Sequence, residues 1–148
     1  MKVEQEQDVT SILPLIAKWL AECNAKKFGM DPTFATIMDD LDTWLLERDG
    51  AILVAYDPDP VGFMMVFSTA NFLCPGHVLL EKYWYVTEGH RGAAMPLYRA
   101  AKRWGKKHGC SHMLLSASNL ASDRHDRIAQ FCEKMGMTLF ETSYIEEL

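Results

Sequence analysis

A predicted strand meets a predicted helix at Tyr85-Val-Thr-Glu-Gly-His-Arg-Gly-Ala-Ala94, in a chain of 148 residues. The strand covers residues 77–86, which are rich in β-branched and aromatic side chains. In the helix, Leu97, Ala101, Trp104 and His108 share one face. Small residues at a helix start let backbone N–H groups approach an anion, which the helix dipole also favours. The junction therefore predicts a phosphate-binding turn, although small residues also suit plain packing of a helix on a sheet.

The chain before this junction predicts two helices and a hairpin. Apolar side chains at helical spacing indicate a helix over residues 12–23, which Thr10 or Ser11 would cap. A second helix opens at Asp31-Pro32, a capping acid followed by a proline suited to the first turn. Short β-like runs at residues 51–56 and 61–69 flank an Asp57-Pro-Asp-Pro60 turn, and a further strand is compatible with residues 2–5.

The chain after the junction predicts a strand over residues 113–118, a helix over residues 123–135 and a final strand over residues 138–145. A strand-helix-strand unit that follows an antiparallel meander indicates an α/β fold with a mixed, mostly antiparallel sheet flanked by about four helices. The sequence contains no repeat and no long linker, so we expect one domain over residues 1–148.

Composition excludes several classes of protein. A net charge of −5 argues against a general nucleic-acid binder, which needs a surplus of Lys and Arg. The polar, acidic start is unlike a signal peptide, and no apolar stretch approaches the ~18 residues of a membrane span. We therefore expect a cytoplasmic protein without a membrane partner. The four cysteines form no C-x-x-C pair and the histidines no ligand motif, which predicts free thiols and no metal site.

Two segments resemble the GNAT N-acetyltransferase superfamily. The junction and the helix after it are similar to that family's acetyl-CoA-binding segment, in which a strand ends in (Q/R)-x-x-G-x-(G/A) and the next helix receives the pyrophosphate. The stretch Phe131-Cys-Glu-Lys-Met-Gly-Met137 resembles the family's L-Y-E-K-x-G-F. The element order matches over nearly the whole chain, and a weaker likeness points to small phage-encoded members.

This resemblance implies a GNAT-like acyl-CoA N-acyltransferase fold with acetyl-CoA as cofactor. One alignment places Gly89 at the family's Gln/Arg position, with Gly92 and Ala94 at its small positions. The other matches Arg91 to the family's arginine and shortens the loop by two residues. Both leave a backbone-lined cradle. The implied cofactor-binding residues are Trp84, Tyr85, Val86, His90, Arg91, Gly92, Ala93, Ala94 and Met95.

The resemblance also implies candidates for catalysis. Glu81 lies in the strand that approaches the cofactor, where related enzymes often place a glutamate base, but it also suits a solvated strand position. Cys132 replaces the tyrosine that often protonates the departing CoA thiolate, although a buried cysteine commonly serves as a small hydrophobe. Tyr144 is a further candidate acid. Other candidates for that role are Tyr83, Tyr85, Ser116 and Ser118.

The expected function is transfer of an acetyl group from acetyl-CoA to an amine of a small molecule or protein by direct attack. The alternative is an inactive GNAT-like binding or structural protein, such as a phage virion component or a host-factor inhibitor. A basic face of the third predicted helix would contact the 3′-phosphate of CoA, or it is simply exposed to solvent; its residues are Arg99, Lys102, Arg103, Lys106 and Lys107. An acidic face of the second helix would attract a cationic acceptor, or it too is simply solvated; its residues are Asp39, Asp40 and Asp42. An exposed final strand would also allow two copies to pair as a homodimer.

Overall fold

A computed structural model describes residues 1–47, 49–70, 74–120, 123 and 125–148. Within these residues the strands form one sheet, in which each strand lies beside the next in chain order. The pairs from β1 to β4 are antiparallel, whereas β4 and β5 are parallel. The mixed, mostly antiparallel sheet is thereby confirmed. The strands are β1 (Lys2–Glu6), β2 (Asp49–Asp57), β3 (Asp59–Ala70), β4 (His77–Val86) and β5 (Cys110–Leu114).

Helices cover both faces of the sheet. The described helices are α1 (Leu13–Glu22), α2 (Phe34–Glu47), α3 (Ala94–Lys107) and α4 (His125–Lys134). On one face, α1 and α2 bury Leu15, Ile16 and Leu41 against the sheet. On the other, α3 buries Leu97 and Trp104, and its predicted basic stripe is exposed to solvent. Among the described residues, no helix has the length and apolar character needed to cross a bilayer.

The helix starts differ from the predicted ones. The first helix begins at Leu13 without a side-chain cap, because a single 3-10 turn over Thr10–Ile12 precedes it. Asp8 accepts the N–H of Thr10 at 2.8 Å and so holds that turn. The second helix begins at Phe34 rather than at Pro32. Its cap is Thr33, which exchanges hydrogen bonds with Thr36.

We expect Thr33→Ala to lower the free energy of unfolding by about 1 kcal/mol. The Thr33 hydroxyl accepts the Thr36 N–H at 3.2 Å, so the change leaves this N–H at the helix start unpaired, whereas the Thr33 N–H keeps its bond to the Thr36 hydroxyl. Urea denaturation measures the loss. Thr43→Ala is the matched control, since Thr43 is exposed within α2 and alanine has the higher helix propensity. Equal stability of Thr33→Ala and the wild type would contradict the capping role.

The end of the chain corrects two predictions. Strand β5 spans Cys110–Leu114 and is partly exposed, so it begins earlier than the predicted buried strand at residues 113–118. The predicted final strand over residues 138–145 is wrong, because residues 136–148 contain neither helix nor strand. High β-propensity acts only on a half-buried pleated surface, and here Leu139 is 84% and Phe140 63% exposed. A dimer has no final strand to pair through, and the oligomeric state stays a prediction.

Candidate active site

Strand β4 changes its pairing in the middle. Its parallel pairing with β5 ends at Leu80, opposite Leu114. On its other side the register with β3 shifts, because Glu81 pairs with Val66 and Tyr83 with Met65. Lys82 is therefore the extra residue of a β-bulge, a device that bends a strand and redirects its side chains. Beyond Leu80, the β5-facing edge of β4 has no strand partner within the described residues, and we call this place, where the ladder between β4 and β5 ends, the gap.

Glu81 lies at this gap. Its side chain is half-buried, and its Oε2 accepts the backbone N–H of Ser116, just beyond β5, at 3.1 Å. Burial raises the pKa of Glu81 to about 7, and the hydrogen bond from Ser116 only partly opposes this effect. A carboxyl group with such a pKa exchanges its proton near neutrality, as a general base requires.

Helix α4 brings Cys132 to the same place. The ring of Phe131 packs edge-on against Trp84 of β4 at 5.4 Å and against Tyr98 of α3 at 5.5 Å between centroids. Cys132 is the next residue, and burial raises the pKa of its thiol, with the nearby Glu81 carboxylate adding to the effect. The thiol therefore keeps its proton at neutral pH, so it is suited to donate a proton and poorly suited to act as a nucleophile.

The structure does not bring the other candidate acids to Glu81. Tyr144 is 94% exposed, and no hydrogen bond or ring contact of the described residues joins it to Glu81. The hydroxyl of Tyr83 donates to Asp40 at 2.7 Å, and that of Tyr85 donates to Glu22 at 2.9 Å, both on the α1–α2 face. Burial, reinforced by these carboxylates, raises the pKa of both tyrosines.

In the hydrogen bonds of the described residues, neither candidate serine brings its hydroxyl to Glu81. Ser116 reaches Glu81 with its backbone N–H. The hydroxyl of Ser118 accepts the N–H of Leu120 at 3.1 Å within its own loop. A catalytic role for Tyr144 consequently stays a prediction without a structural contact behind it, whereas the Glu81 carboxylate is close enough to Cys132 to raise the pKa of its thiol.

The turn between β4 and α3 is fixed at its base. The buried hydroxyl of Thr87 donates to the carbonyl of Val61 on β3 at 3.0 Å and lies 3.1 Å from Nδ1 of His90. Gly89 has a φ of +87°, a conformation that favours glycine, so the chain reverses there without strain. A single 3-10 turn over Arg91–Ala93 then leads into α3. The half-buried His90 is thus held in the turn rather than directed at Glu81.

The start of α3 is partly open to an anion. The 3-10 turn already uses two N–H groups here, because Ala93 donates to the His90 carbonyl at 2.8 Å and Ala94 donates to the Arg91 carbonyl. A Cβ added to Gly92 would meet no atom within 4 Å, so the space beside Gly92 is open. Around Gly92, Arg91 is exposed, Ala94 and Met95 are half-buried, and Ala93 is fully buried. The backbone around Gly92 is therefore the part of this turn that is open to an anion.

The end of β4 also offers its backbone. Trp84 and Val86 pack with the core on the α3 side, whereas Tyr85 packs with the core on the α1–α2 side. These three side chains are thus engaged on the two faces of the sheet. Their main-chain groups along the unpaired edge are what an extended ligand could bind, in the manner of an added strand.

The family comparison agrees with this geometry. The model of the acetyltransferase (GNAT) family matches residues 13–137. The chain belongs to the GNAT acetyltransferase family. Its match includes β4, the turn, α3, and the α4 segment with Cys132. No curated protein shows significant sequence similarity to this GNAT chain.

Solved structures show the same fold at low sequence identity. A tetramutant of the BH1408 protein from Bacillus halodurans has a TM-score of 0.74 and 17% identity, with 100% of each chain covered. The ribosomal-protein-alanine N-acetyltransferase from Brucella melitensis biovar Abortus has a TM-score of 0.73 and 18% identity, again covering 100% of each chain. AAC(6′)-Iy in complex with a CoA bisubstrate analog has a TM-score of 0.65 and 18% identity, covering 99% of this chain and 97% of its own.

Sequence reasoning missed two features of the site. The bulge at Lys82 left no signal, because a local sequence does not show which residue lacks a partner on the next strand. The contact of Phe131 with Trp84 was also missed, although an aromatic residue beside the family's tyrosine position was visible. Strand alternation places Glu81 and Lys82 on opposite faces, and they do lie apart in this way, since Glu81 reaches Ser116 and Lys82 reaches Asp40.

Proposed function

We propose that this GNAT protein is an acetyl-CoA-dependent N-acetyltransferase that acts on an amine of a small molecule or protein. The observation that carries the proposal is Glu81, whose pKa burial raises to about 7 at the gap where β4 leaves β5. Family membership supports the acetyltransferase chemistry. The open, backbone-lined turn at Gly92 supports the use of a cofactor that carries phosphate groups.

Acetyl-CoA, when bound, supplies the acetyl group, whose thioester carbon the amine attacks. The backbone around Gly92, at the start of α3, would hold the pyrophosphate, and the free edge of β4 at residues 84–86 would pair with the pantetheine arm. This orientation would direct the thioester toward Glu81. The implied cofactor-binding residues thus act mainly through their main chain.

Two protons must move during the transfer. The acceptor amine is charged at neutral pH and attacks only after it loses a proton, which the Glu81 carboxylate would take directly or through water. As the new C–N bond forms and the C–S bond breaks, the nitrogen must lose its second proton and the leaving thiolate must gain one. Cys132 keeps its proton at neutral pH, would give it to the thiolate and would regain one from the nitrogen through water. No step requires a covalent bond to the protein.

Cofactor binding and transfer are tested separately. Calorimetric titration with acetyl-CoA and with CoA measures binding, and mass spectrometry of a panel of amines measures transfer. Binding below millimolar concentration together with acetylated product supports the proposal. No binding at millimolar cofactor would overturn it. Binding of both cofactors without transfer from acetyl-CoA or a larger acyl donor would favour the inactive GNAT-like protein instead.

We expect the rate of transfer to fall as the pH drops through about 7. Only the ionised Glu81 carboxylate can accept a proton, and burial raises its pKa from 4.5 to about 7. Below that value kcat/KM should decrease about tenfold per pH unit. The pH profile of kcat/KM is measured with two acceptors whose amines differ in pKa. The part of the profile that reports Glu81 should stay at the same pH for both acceptors, whereas the part that reports the acceptor amine should move with its pKa. A limb that moves with the acceptor alone would contradict the assignment.

Stability has the opposite pH dependence. The pKa of Glu81 is higher in the folded protein than in the unfolded chain, so the folded state binds this proton more tightly. The contribution of Glu81 to the free energy of unfolding is thus fully present below about pH 4.5 and is lost as the pH rises to about 7. Urea denaturation across this range should show a decline that Glu81→Gln reduces.

A further inference from the structure

At Lys82, the alternation of β4 side chains between the two faces of the sheet is interrupted. Leu79 packs with the α3-side core, and Glu81, two residues on, lies on the same side, toward Cys132 of α4. Simple alternation would then place Tyr83 and Tyr85 on that side too. Both instead pack with the core under α1 and α2. The bulge therefore allows Glu81 to face the gap while the tyrosines that follow it face α1 and α2.

The carboxylate of Asp40 on α2 contacts both Lys82 and Tyr83, the two residues at this interruption. Asp40 Oδ2 accepts the hydroxyl of Tyr83 at 2.7 Å and lies 3.5 Å from Nζ of Lys82. Its Oδ1 accepts the indole N–H of Trp44 at 3.0 Å, one helical turn further along α2. Nζ of Lys82 also lies 4.9 Å from the centre of the Trp44 ring. Two successive β4 side chains are thus held on the same side of the strand, which ordinary alternation forbids.

We propose that Asp40 is a positioning residue for Glu81, because it holds Lys82 and Tyr83 together and so fixes the bulge that directs Glu81 into the gap. This role rests on the proposed function of Glu81 as the general base. Asp40 acts through β4 and does not touch the reacting atoms. It is also the one member of the acidic face of α2 that is partly buried, since Asp39 and Asp42 are exposed.

Loss of these contacts has a defined consequence. A strand without its bulge restores simple alternation, which moves side chains on one side of the irregularity to the other face of the sheet. Either Glu81 leaves the gap, or Tyr83 and Tyr85 leave the α1–α2 core. Tyr85 is buried, Tyr83 is partly buried and both are hydrogen-bonded, whereas Glu81 is held by one backbone N–H. Glu81 is therefore the residue expected to move toward solvent, and its pKa should fall.

The pKa of Glu81 provides a readout that needs no turnover. In protein labelled with ¹³C at glutamate carboxyls, the Glu81 resonance is assigned by its loss in Glu81→Gln and titrated by NMR. We expect Asp40→Ala to lower this pKa by about 1 or more, and Tyr83→Phe to lower it less. Asp39→Ala removes the same charge from the neighbouring exposed position and should leave the Glu81 pKa unchanged. Asp40→Asn keeps an acceptor for Tyr83 and should give partial rescue.

Lys82→Met separates positioning from plain electrostatics. Removal of a nearby cation by itself would raise the pKa of Glu81, whereas loss of the bulge contact would lower it. A lower pKa in Lys82→Met supports the positioning role. A raised or unchanged pKa in Lys82→Met, together with an unchanged pKa in Tyr83→Phe, would overturn it, and these two variants decide the question even if Asp40→Ala fails to fold.

Kinetics give a second readout where transfer is observed. Asp40→Ala should reduce kcat and shift the acid limb of the pH profile to the value found by NMR, with the KM for acetyl-CoA nearly unchanged. A reduced kcat with an unshifted limb would contradict positioning. Because the NMR titration is independent of turnover, a failure of the proposed function leaves the positioning of Glu81 measurable, and the two failures are distinct.

Discussion

Glu81→Gln should lower kcat for acetyl transfer by about 10²- to 10⁴-fold, the contribution typical of a general base. Glutamine matches the shape of glutamate and retains an oxygen that can accept the Ser116 N–H, so the local structure should persist. It cannot take a proton from the acceptor amine. The Kd for acetyl-CoA should change less than about twofold, because the backbone of the turn and of β4 would bind the cofactor.

Glu4→Gln is the matched control for this change. Glu4 lies on β1, at the sheet edge opposite β5, and pairs with Lys2 on the surface. A surface ion pair contributes little to stability, so this variant should keep both turnover and cofactor affinity. An unchanged rate in Glu81→Gln would remove Glu81 from the mechanism. A weakened Kd in Glu81→Gln without loss of kcat would assign it to binding instead.

The elements that the sequence predicts well are those with local signals. The bounds of β4 agree with the predicted residues 77–86, and the hairpin of β2 and β3 turns at the predicted Asp57-Pro-Asp-Pro60. In both, side-chain type and turn residues determine the backbone without help from distant parts of the chain. The turn after β4 belongs to the same class, because Gly89 and Gly92 are visible in the sequence, and its role in binding phosphate stays a prediction.

Features that depend on distant partners were not predictable. Asp40 stands in an acidic run that looks like a solvated helix face, and only the fold places Tyr83 and Lys82 beside it. The strand predicted over residues 138–145 is an error of the opposite kind, because the local sequence indicated an element that the fold does not form. Its composition favours a strand, but no described strand takes up its hydrogen bonds. Pairing between segments far apart in sequence thus decides both the bulge next to Glu81 and the absence of that strand within the described residues.

The start of α3 should be sensitive to an added negative charge. We expect Gly92→Asp to raise the Kd for acetyl-CoA and for CoA about 30- to 150-fold, since opposing like charges at a binding site costs roughly 2 to 3 kcal/mol. A Cβ at Gly92 meets no atom within 4 Å, so the substitution should leave the fold intact. Gly92→Ala fills the space without charge and should have a much smaller effect.

Thr43→Asp is the matched control for charge, because it adds the same carboxylate to an exposed position on α2, on the opposite face of the sheet. Calorimetric titration of the three variants at low and high salt separates the effect of the added charge from the effect of the added side-chain volume. A phosphate held at this turn predicts that salt narrows the difference between Gly92→Asp and wild type, because ions screen the repulsion. Equal affinities of Gly92→Asp and Thr43→Asp would show that the pyrophosphate lies elsewhere, and the cradle at residues 91–95 would lose its role even if Glu81 keeps its own.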